Sequence, residues 1–373
     1  MTDTTSALST VDWSMNDNFA ATSIDVLHPY PAKFVATLPY ELLNRLRVPD
    51  GTSVMDPFVG SGTTMVQAQR MGYETLGIDL NPIACLMSRV KTSPTPKGIE
   101  NLADNVLSHS SNLEPNLHFA DSIPNVDHWF KSEVKLRLAQ IAEAISHLDQ
   151  TLVDVSELAL SAIIVRVSNQ DSDTRYAAVE KLVTAADVDT LFRKSVEKIA
   201  SALKSRNYDL RKAHVIEADI LSVELSDWNG KIGAVISSPP YPNAYEYWLY
   251  HKYRMFWLKR DPLAVKRSEI GARAHFFKKN RHTKETFCDQ MAAVFQKIDV
   301  VLHRDGWIAM VVGRSKIHGE EVDNAQILQE AAKASGFLCS YQVNRPIKMS
   351  RKSFNLFHAK IASETVLVFE RGL

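Results

Sequence analysis

With 373 residues, 45 % of them apolar and 23 % charged, the chain is neither disordered nor fibrous, and it has room for one large α/β domain with an insertion, or for two domains. Basic and acidic residues balance at 43 each, so the total charge points to no class of partner. Three cysteines, Cys85, Cys288 and Cys339, lie far apart without CxxC spacing or clustered histidines, which argues against a disulfide framework and against a metal site. The start is polar and no run reaches transmembrane length, so the expected location is the cytoplasm, with no membrane partner.

In chain order, residues 1–22 predict a mobile tail. LHPYPAKFVATLPYELLNRL then predicts an extended Pro-rich piece and an amphipathic helix, closed by the turn signal PDG. Short apolar runs follow. TSVMDPF and ETLGIDL predict the first two strands, joined by the helix TTMVQAQRMG, whose Gly72 lies near its end. Residues 92–212 begin with SPTPKG and continue through helical patterns such as SEVKLRLAQIAEAISHL and TLFRKSVEKIASAL; an ordinary crossover does not need about a hundred residues. This stretch is expected to be a helical insertion. AHVIEADI, IGAVISS, GWIAMVVG and ETVLVFE predict four more strands. Apolar strands alternating with helices imply a mostly parallel sheet covered on both faces, a Rossmann-like α/β fold. Ligands in such sheets lie at the carboxyl ends of the strands, which puts Asp56, Asp79, Asp219 and Ser238 on one rim.

Three motifs on that rim carry chemistry. In DPFVGSGTT, Gly60 and Gly62 let the backbone bend and approach a ligand without a Cβ, while the helix that follows offers unpaired N–H groups. No lysine follows, so this is not a phosphate loop of the GxxxxGKS kind. In GIDLNP, Asp79 ends a strand where a carboxylate can accept both hydroxyls of a ribose, and Asp219 ends the next strand where it can meet an adenine edge. Both acids have a plainer reading as helix or loop caps. The run AVISSPPYPNAYEYW follows a strand with a hydroxyl, two prolines and an aromatic ring in one short turn. The prolines hold the chain extended and leave carbonyls free to accept, which suits an exocyclic amine with its ring stacked on Tyr241. The plainer reading is a strand exit with a buried tyrosine.

DPFVGSGTT, then GIDLNP, then SSPPY resemble the motifs of the S-adenosylmethionine-dependent DNA amino-methyltransferases. The Ser-Pro-Pro-Tyr form is similar to that of the N4-cytosine enzymes, whereas N6-adenine enzymes usually carry Asp-Pro-Pro-Tyr. HPYPAKF, residues 28–34, is similar to the family's N-terminal motif beside the methionine end of the cofactor. The resemblance covers residues 28–91 and 213–373. It implies a methyltransferase domain over 23–91 and 213–373 with a seven-stranded sheet, and leaves 92–212 as an insertion that is a candidate for target recognition. Many members with this tetrapeptide place it before the glycine loop; here the glycine loop comes first.

The roles implied are cofactor binding by His28, Lys33, Phe34, Asp56, Pro57, Phe58, Gly60, Gly62, Thr63, Asp79 and Asp219, and catalysis by Ser238, Pro239, Pro240 and Tyr241. Ser238 Oγ and the Pro239 carbonyl would accept the two N–H groups of the target amine and concentrate its lone pair for attack on the sulfonium methyl. The cofactor is S-adenosylmethionine, without a metal. The partner is double-stranded DNA with the target base flipped out, and a cognate restriction endonuclease is a further expected partner. From Lys252 to Lys284 eleven Lys or Arg stand against Asp261 and Glu269, a net +9, and Arg267, Arg273, Lys278, Lys279 and Arg281 are the expected phosphate contacts. A solvated basic face is the plainer alternative. The aromatics of YEYWLYHKYRMFW are expected in the core. Competing substrates are the N6 amine of adenine, structured RNA and a protein amide; a DNA-binding regulatory subunit without turnover is the non-enzymatic reading.

Overall fold

Strands that read as continuous apolar runs fold into a sheet buried on both sides. The computed structural model describes residues 4–15, 23–31, 33–173, 175–242, 246–277, 281–347 and 363–372. Helices α1 (Thr4–Leu8) and α2 (Thr37–Arg45) precede β1 (Ser53–Asp56), α3 (Thr63–Arg70), β2 (Thr75–Asp79) and α4 (Pro82–Thr92). Six helices follow: α5 (Leu102–Ser110), α6 (Leu117–Ser122), α7 (Val126–Trp129), α8 (Ser132–Ser146), α9 (Gln150–Val167) and α10 (Ala185–Lys204). The chain then returns through β3 (Ala213–Glu217) and β4 (Ile232–Ser237) to four short helices, α11 (Tyr247–Tyr250), α12 (Lys252–Trp257), α13 (Pro262–Ser268) and α14 (Arg273–Phe276). It ends with α15 (Lys284–Val301), β5 (Leu302–Gly313), the hairpin β6 (Ser315–Ile317) and β7 (Glu320–Val322), α16 (Asn324–Ala334), β8 (Phe337–Pro346) and β9 (Ser363–Arg371).

The main sheet has seven strands in the order β3-β2-β1-β4-β5-β9-β8. All pairs from β3 to β5 are parallel, and β9 runs antiparallel to both β5 and β8. This is a Rossmann-like α/β architecture. Strand order reverses between β1 and β4, so their carboxyl ends diverge into a crevice where such sheets take ligands.

Alternation sorts the sheet's side chains into two cores. Along β5, Ile308, Met310 and Val312 join Phe287, Met291 and Phe295 of α15 and Leu328 of α16. Trp307, Ala309 and Val311 point the other way, to Leu38 and Leu42 of α2 and Ala68 of α3. A third core contains α5–α10 together with Ile83, Leu86, Met87 and Val90 of α4 and Met255 and Trp257 of α12. The helical segment is therefore continuous with the helices that flank the two motif regions. Trp248, Tyr253 and Trp257 are buried.

The expected tail over residues 1–22 is corrected in its described part. Leu8, Trp13 and Met15 are buried against the sheet, and the Trp13 indole N–H donates to Tyr341 Oη at 3.0 Å. Arg345 Nε–H donates to the Trp13 carbonyl at 3.3 Å. Truncating a buried tryptophan removes its apolar area and leaves a cavity, so Trp13→Ala should lower unfolding stability by about 3 kcal/mol. Urea titration measures this directly, and a change within 0.5 kcal/mol, about that of a surface substitution, would mean that the segment is an ornament.

Candidate active site

The first element of the site is the turn from β1 into α3. Asp56 ends β1 only 3 % exposed, and its Oδ1 accepts the Ser237 hydroxyl at 2.6 Å and the Phe58 N–H at 3.1 Å. Burial pushes its pKa up to about 6 despite hydrogen bonds from Ser237, Thr64 and Phe58 that favour the charged form; nearby Asp79 raises it further. Pro57 is buried and Phe58 half-buried, packed against the α15 core. Gly62 has φ +78°, and a Cβ there would stand 2.8 Å from Ser88 Oγ, so only glycine fits the turn. Ser61 Oγ lies 3.2 Å from Thr63 Oγ1, and Thr64 donates to the Ile236 carbonyl at 3.2 Å, tying the start of α3 to β4.

The second element is β2 and α4. Asp79, half-buried, spreads its carboxylate over two loops: Oδ2 accepts the Gly60 N–H at 2.9 Å and Oδ1 the Asn81 N–H at 2.8 Å. Burial pushes its pKa up to about 6, against the opposing pull of those N–H groups. Asn81 caps α4 by accepting the Ile83 N–H at 3.0 Å. From α4, two side chains hold the carbonyls of the glycine loop. Ser88 donates to Gly60 O at 3.3 Å, and Lys91, 1 % exposed, donates to Ser61 O at 2.6 Å. Burial pulls the Lys91 ammonium down to about 7. With these carbonyls turned towards α4, the loop keeps its other side for a ligand.

The third element leaves β4. The Ser238 hydroxyl donates to the Val311 carbonyl of β5 at 3.0 Å, which spends its proton and leaves its oxygen lone pairs as acceptors. Its neighbour Ser237, buried, is the residue that binds Asp56. Pro239 is buried, Pro240 and Tyr241 are half-buried, and Tyr241 packs against the α15 core.

The N-terminal motif is built differently from expectation. Both His28 ring nitrogens are engaged, Nδ1 with the Pro29 carbonyl at 2.6 Å and Nε2 with Ser161 Oγ of α9 at 2.9 Å, and burial beside Arg254 keeps the ring neutral. Lys33 donates to the Asp25 and His28 carbonyls at 3.1 and 2.9 Å, with its pKa drawn down to about 8 mainly by burial. Phe34 packs with the α2 core. These residues fasten the segment, and it is Tyr30 between them that reaches the glycine loop, its hydroxyl 3.3 Å from where a Gly60 Cβ would lie. Tyr30 also stacks on Tyr247 with ring centroids 5.6 Å apart.

Asp219 is half-buried after β3, and one oxygen takes the Leu221 N–H at 3.0 Å. The basic run divides. Arg254 is fully buried and donates to the Ser161 and Tyr250 carbonyls and to Asp173, while Lys266 sits over the Trp248 ring at 4.4 Å. Arg267, Arg273 and Arg281 are exposed, and Arg267 lies 3.7 Å from Asp261. Lys278 and Lys279 lie outside the described residues. Two residues not foreseen from sequence belong here: Ser237, hidden as the first of two serines, and Glu269, hidden in a basic run. Among the described residues no helix is long and apolar enough to cross a membrane, and no three His, Cys, Asp or Glu gather as a metal site.

The glycine loop, Asp79 and the N-terminal motif lie in one contiguous stretch. Residues 6–89 match the DNA methylase family. The Ser-Pro-Pro-Tyr run lies beyond this matched stretch. The chain is 32 % identical over 155 residues to the Type II methyltransferase M.MvaI of Kocuria varians, 38 % of this chain and 34 % of that protein. To the Type II methyltransferase M.MjaII of Methanocaldococcus jannaschii it is 46 % identical over 66 residues, 17 % of this chain and 12 % of that protein. The chain thus spans about a third or less of the length of these curated relatives. Among solved structures, a TehB-like SAM-dependent methyltransferase from Corynebacterium glutamicum aligns over 90 % of this chain and 87 % of its own at 10 % identity, with a TM-score of 0.34.

The raised carboxyls at the ends of β1 and β2 give a pH signature. With its folded pKa at about 6 and an ordinary value of 3.8, Asp56 binds its proton more tightly in the folded state. Its contribution to stability is full below pH 4 and is lost as pH rises through 6. Asp56→Asn removes this loss, so the stability of the variant relative to wild type should climb by about 3 kcal/mol between pH 4 and 7. Thermal unfolding of both proteins across that range measures it; a difference flat with pH would contradict the burial of the charge.

Proposed function

We propose that the protein transfers the methyl group of S-adenosylmethionine to the exocyclic N4 amine of cytosine in a DNA sequence, with the base turned out of the duplex. The observation that carries this reading is the Ser238 hydroxyl, whose proton is committed to Val311 O at the carboxyl end of β4. An acceptor fixed in this way, with the Pro239 carbonyl as its neighbour, suits an NH₂ group. Both N–H bonds drawn to acceptors concentrate the nitrogen lone pair, and the neutral Ser238 needs no partner charge.

The residues present fit the cofactor. Asp79 uses one lone pair on each oxygen for Gly60 and Asn81, leaving a second on each for two vicinal hydroxyls. Asp219 has one oxygen engaged by Leu221 and the other to offer an adenine amine. Gly60 and Gly62 keep the loop free of side chains. When bound, the cofactor supplies an electrophilic methyl on a sulfonium. The work of the chain is then to fix the amine and the cofactor on one rim, where orientation supplies much of the rate. Exposed Arg267, Arg273 and Arg281 are the phosphate contacts of this reading.

Ser238→Ala should cut methyl transfer by about 10²-fold or more while leaving S-adenosylmethionine affinity within twofold. Asp79→Ala should instead raise the cofactor dissociation constant by roughly tenfold or more. Calorimetry with the cofactor alone and single-turnover transfer to DNA separate the two, and the reverse pattern would exchange the roles of the sites.

A further inference from the structure

Glu269 is an 8 % exposed carboxylate in the middle of the most basic stretch of the chain. Its Oε1 accepts the Tyr247 N–H at 2.8 Å and its Oε2 the Trp248 N–H at 2.9 Å. Among the described residues no Arg or Lys pairs with it; burial pushes its pKa up to about 8, and nearby Glu246 and Asp79 push the same way. A carboxylate kept in so costly a place is held there by what it fastens, which is the chain leaving the Ser-Pro-Pro-Tyr run.

Four further contacts hold this clasp, three of them between the two segments and one, from the Trp248 indole, within the first. Gly271 has φ +74°, and a Cβ there would come within 3.0 Å of the Tyr241 carbonyl. The Ala274 N–H donates to Glu246 Oε1 at 3.2 Å, and the Trp248 indole N–H to the same oxygen at 3.4 Å. Lys266 lies over the Trp248 ring. Exposed Arg267 stands two residues before Glu269, and exposed Arg273 two residues after Gly271.

Resting on the proposed methyl transfer to DNA, the geometry points to Glu269 as a positioning residue that locks the basic segment to Tyr241, so that phosphate contact and the target-base pocket form one unit. Glu269 touches neither base nor cofactor in this role. It sets where the tyrosine stands when the backbone of the DNA is gripped.

The distinction from a merely structural role is a split between substrates. At pH 9, where the wild-type side chain is ionised, the amide of Glu269→Gln retains one acceptor and loses the other, so kcat/KM for DNA should fall at least tenfold while the cofactor dissociation constant stays within twofold. Gly271→Ala strikes the same clasp from the backbone side and should give the same split. Because both act on one clasp, the double variant should lose much less than the product of the single losses. Amide hydrogen exchange at Tyr247 and Trp248 should speed up in Glu269→Gln, a reading independent of activity. If wild type transfers methyl groups to DNA and both single variants do so at full rate, or if their losses multiply, the inference is overturned alone. If wild type methylates no DNA, the functional reading falls and the inference falls with it.

Discussion

The Asp56–Ser237 hydrogen bond is the constraint on which the site depends. It joins the ends of β1 and β4, the two strands whose order reverses, and so fixes the distance between the glycine loop and the Ser-Pro-Pro-Tyr run. The bond is short, 2.6 Å, and lies where water is excluded, so it is strong and costly to break. Thr64 adds a second tie, from the first turn of α3 to the Ile236 carbonyl. Of the two serines in this run, Ser237 holds Asp56 and Ser238 donates to the Val311 carbonyl.

Several ionisable side chains in these loops are shielded from water. Asp56, Asp79 and Glu269 all titrate well above ordinary carboxyls, and Lys91 well below an ordinary lysine, each chiefly because of burial. Each is satisfied by backbone or hydroxyl groups: the acids take N–H and O–H donors, the lysine a carbonyl. Such groups fix loop shape more tightly than apolar packing does, because an unpaired buried charge is expensive. The loops at the carboxyl rim are thereby held to one geometry.

Much of the fold was legible because buried parallel strands are short apolar runs, and six of the seven main strands stand out in the sequence. β8 did not. Its register shifts between Cys339 and Tyr341, so Phe337 and Cys339 face the α15 core while Tyr341 and Val343 face the α2 core. A bulge breaks the period of two that betrays a strand. The N-terminal residues misled for a related reason: Leu8, Trp13 and Met15 are too few and too irregular to reveal a periodic face. The glycine loop, Asp79 and Ser238 are conspicuous in the sequence by their position at the ends of β1, β2 and β4. His28 and Lys33 sit in a suggestive motif but are consumed by Ser161 and by backbone carbonyls. Glu269 was invisible, since its role comes from α11 folding back on it and not from its neighbours in sequence. Charge counting over Lys252–Lys284 likewise could not tell buried Arg254 from exposed Arg273.

Nucleoside mass spectrometry tests amine methylation on DNA. DNA incubated with the protein and isotopically labelled S-adenosylmethionine is digested to nucleosides, with Ser238→Ala as control. Label in N4-methylcytosine with wild type, absent with the variant, is the predicted result. Label in N6-methyladenine would keep the mechanism and overturn the base; no label in any nucleoside of varied DNA would contradict the account.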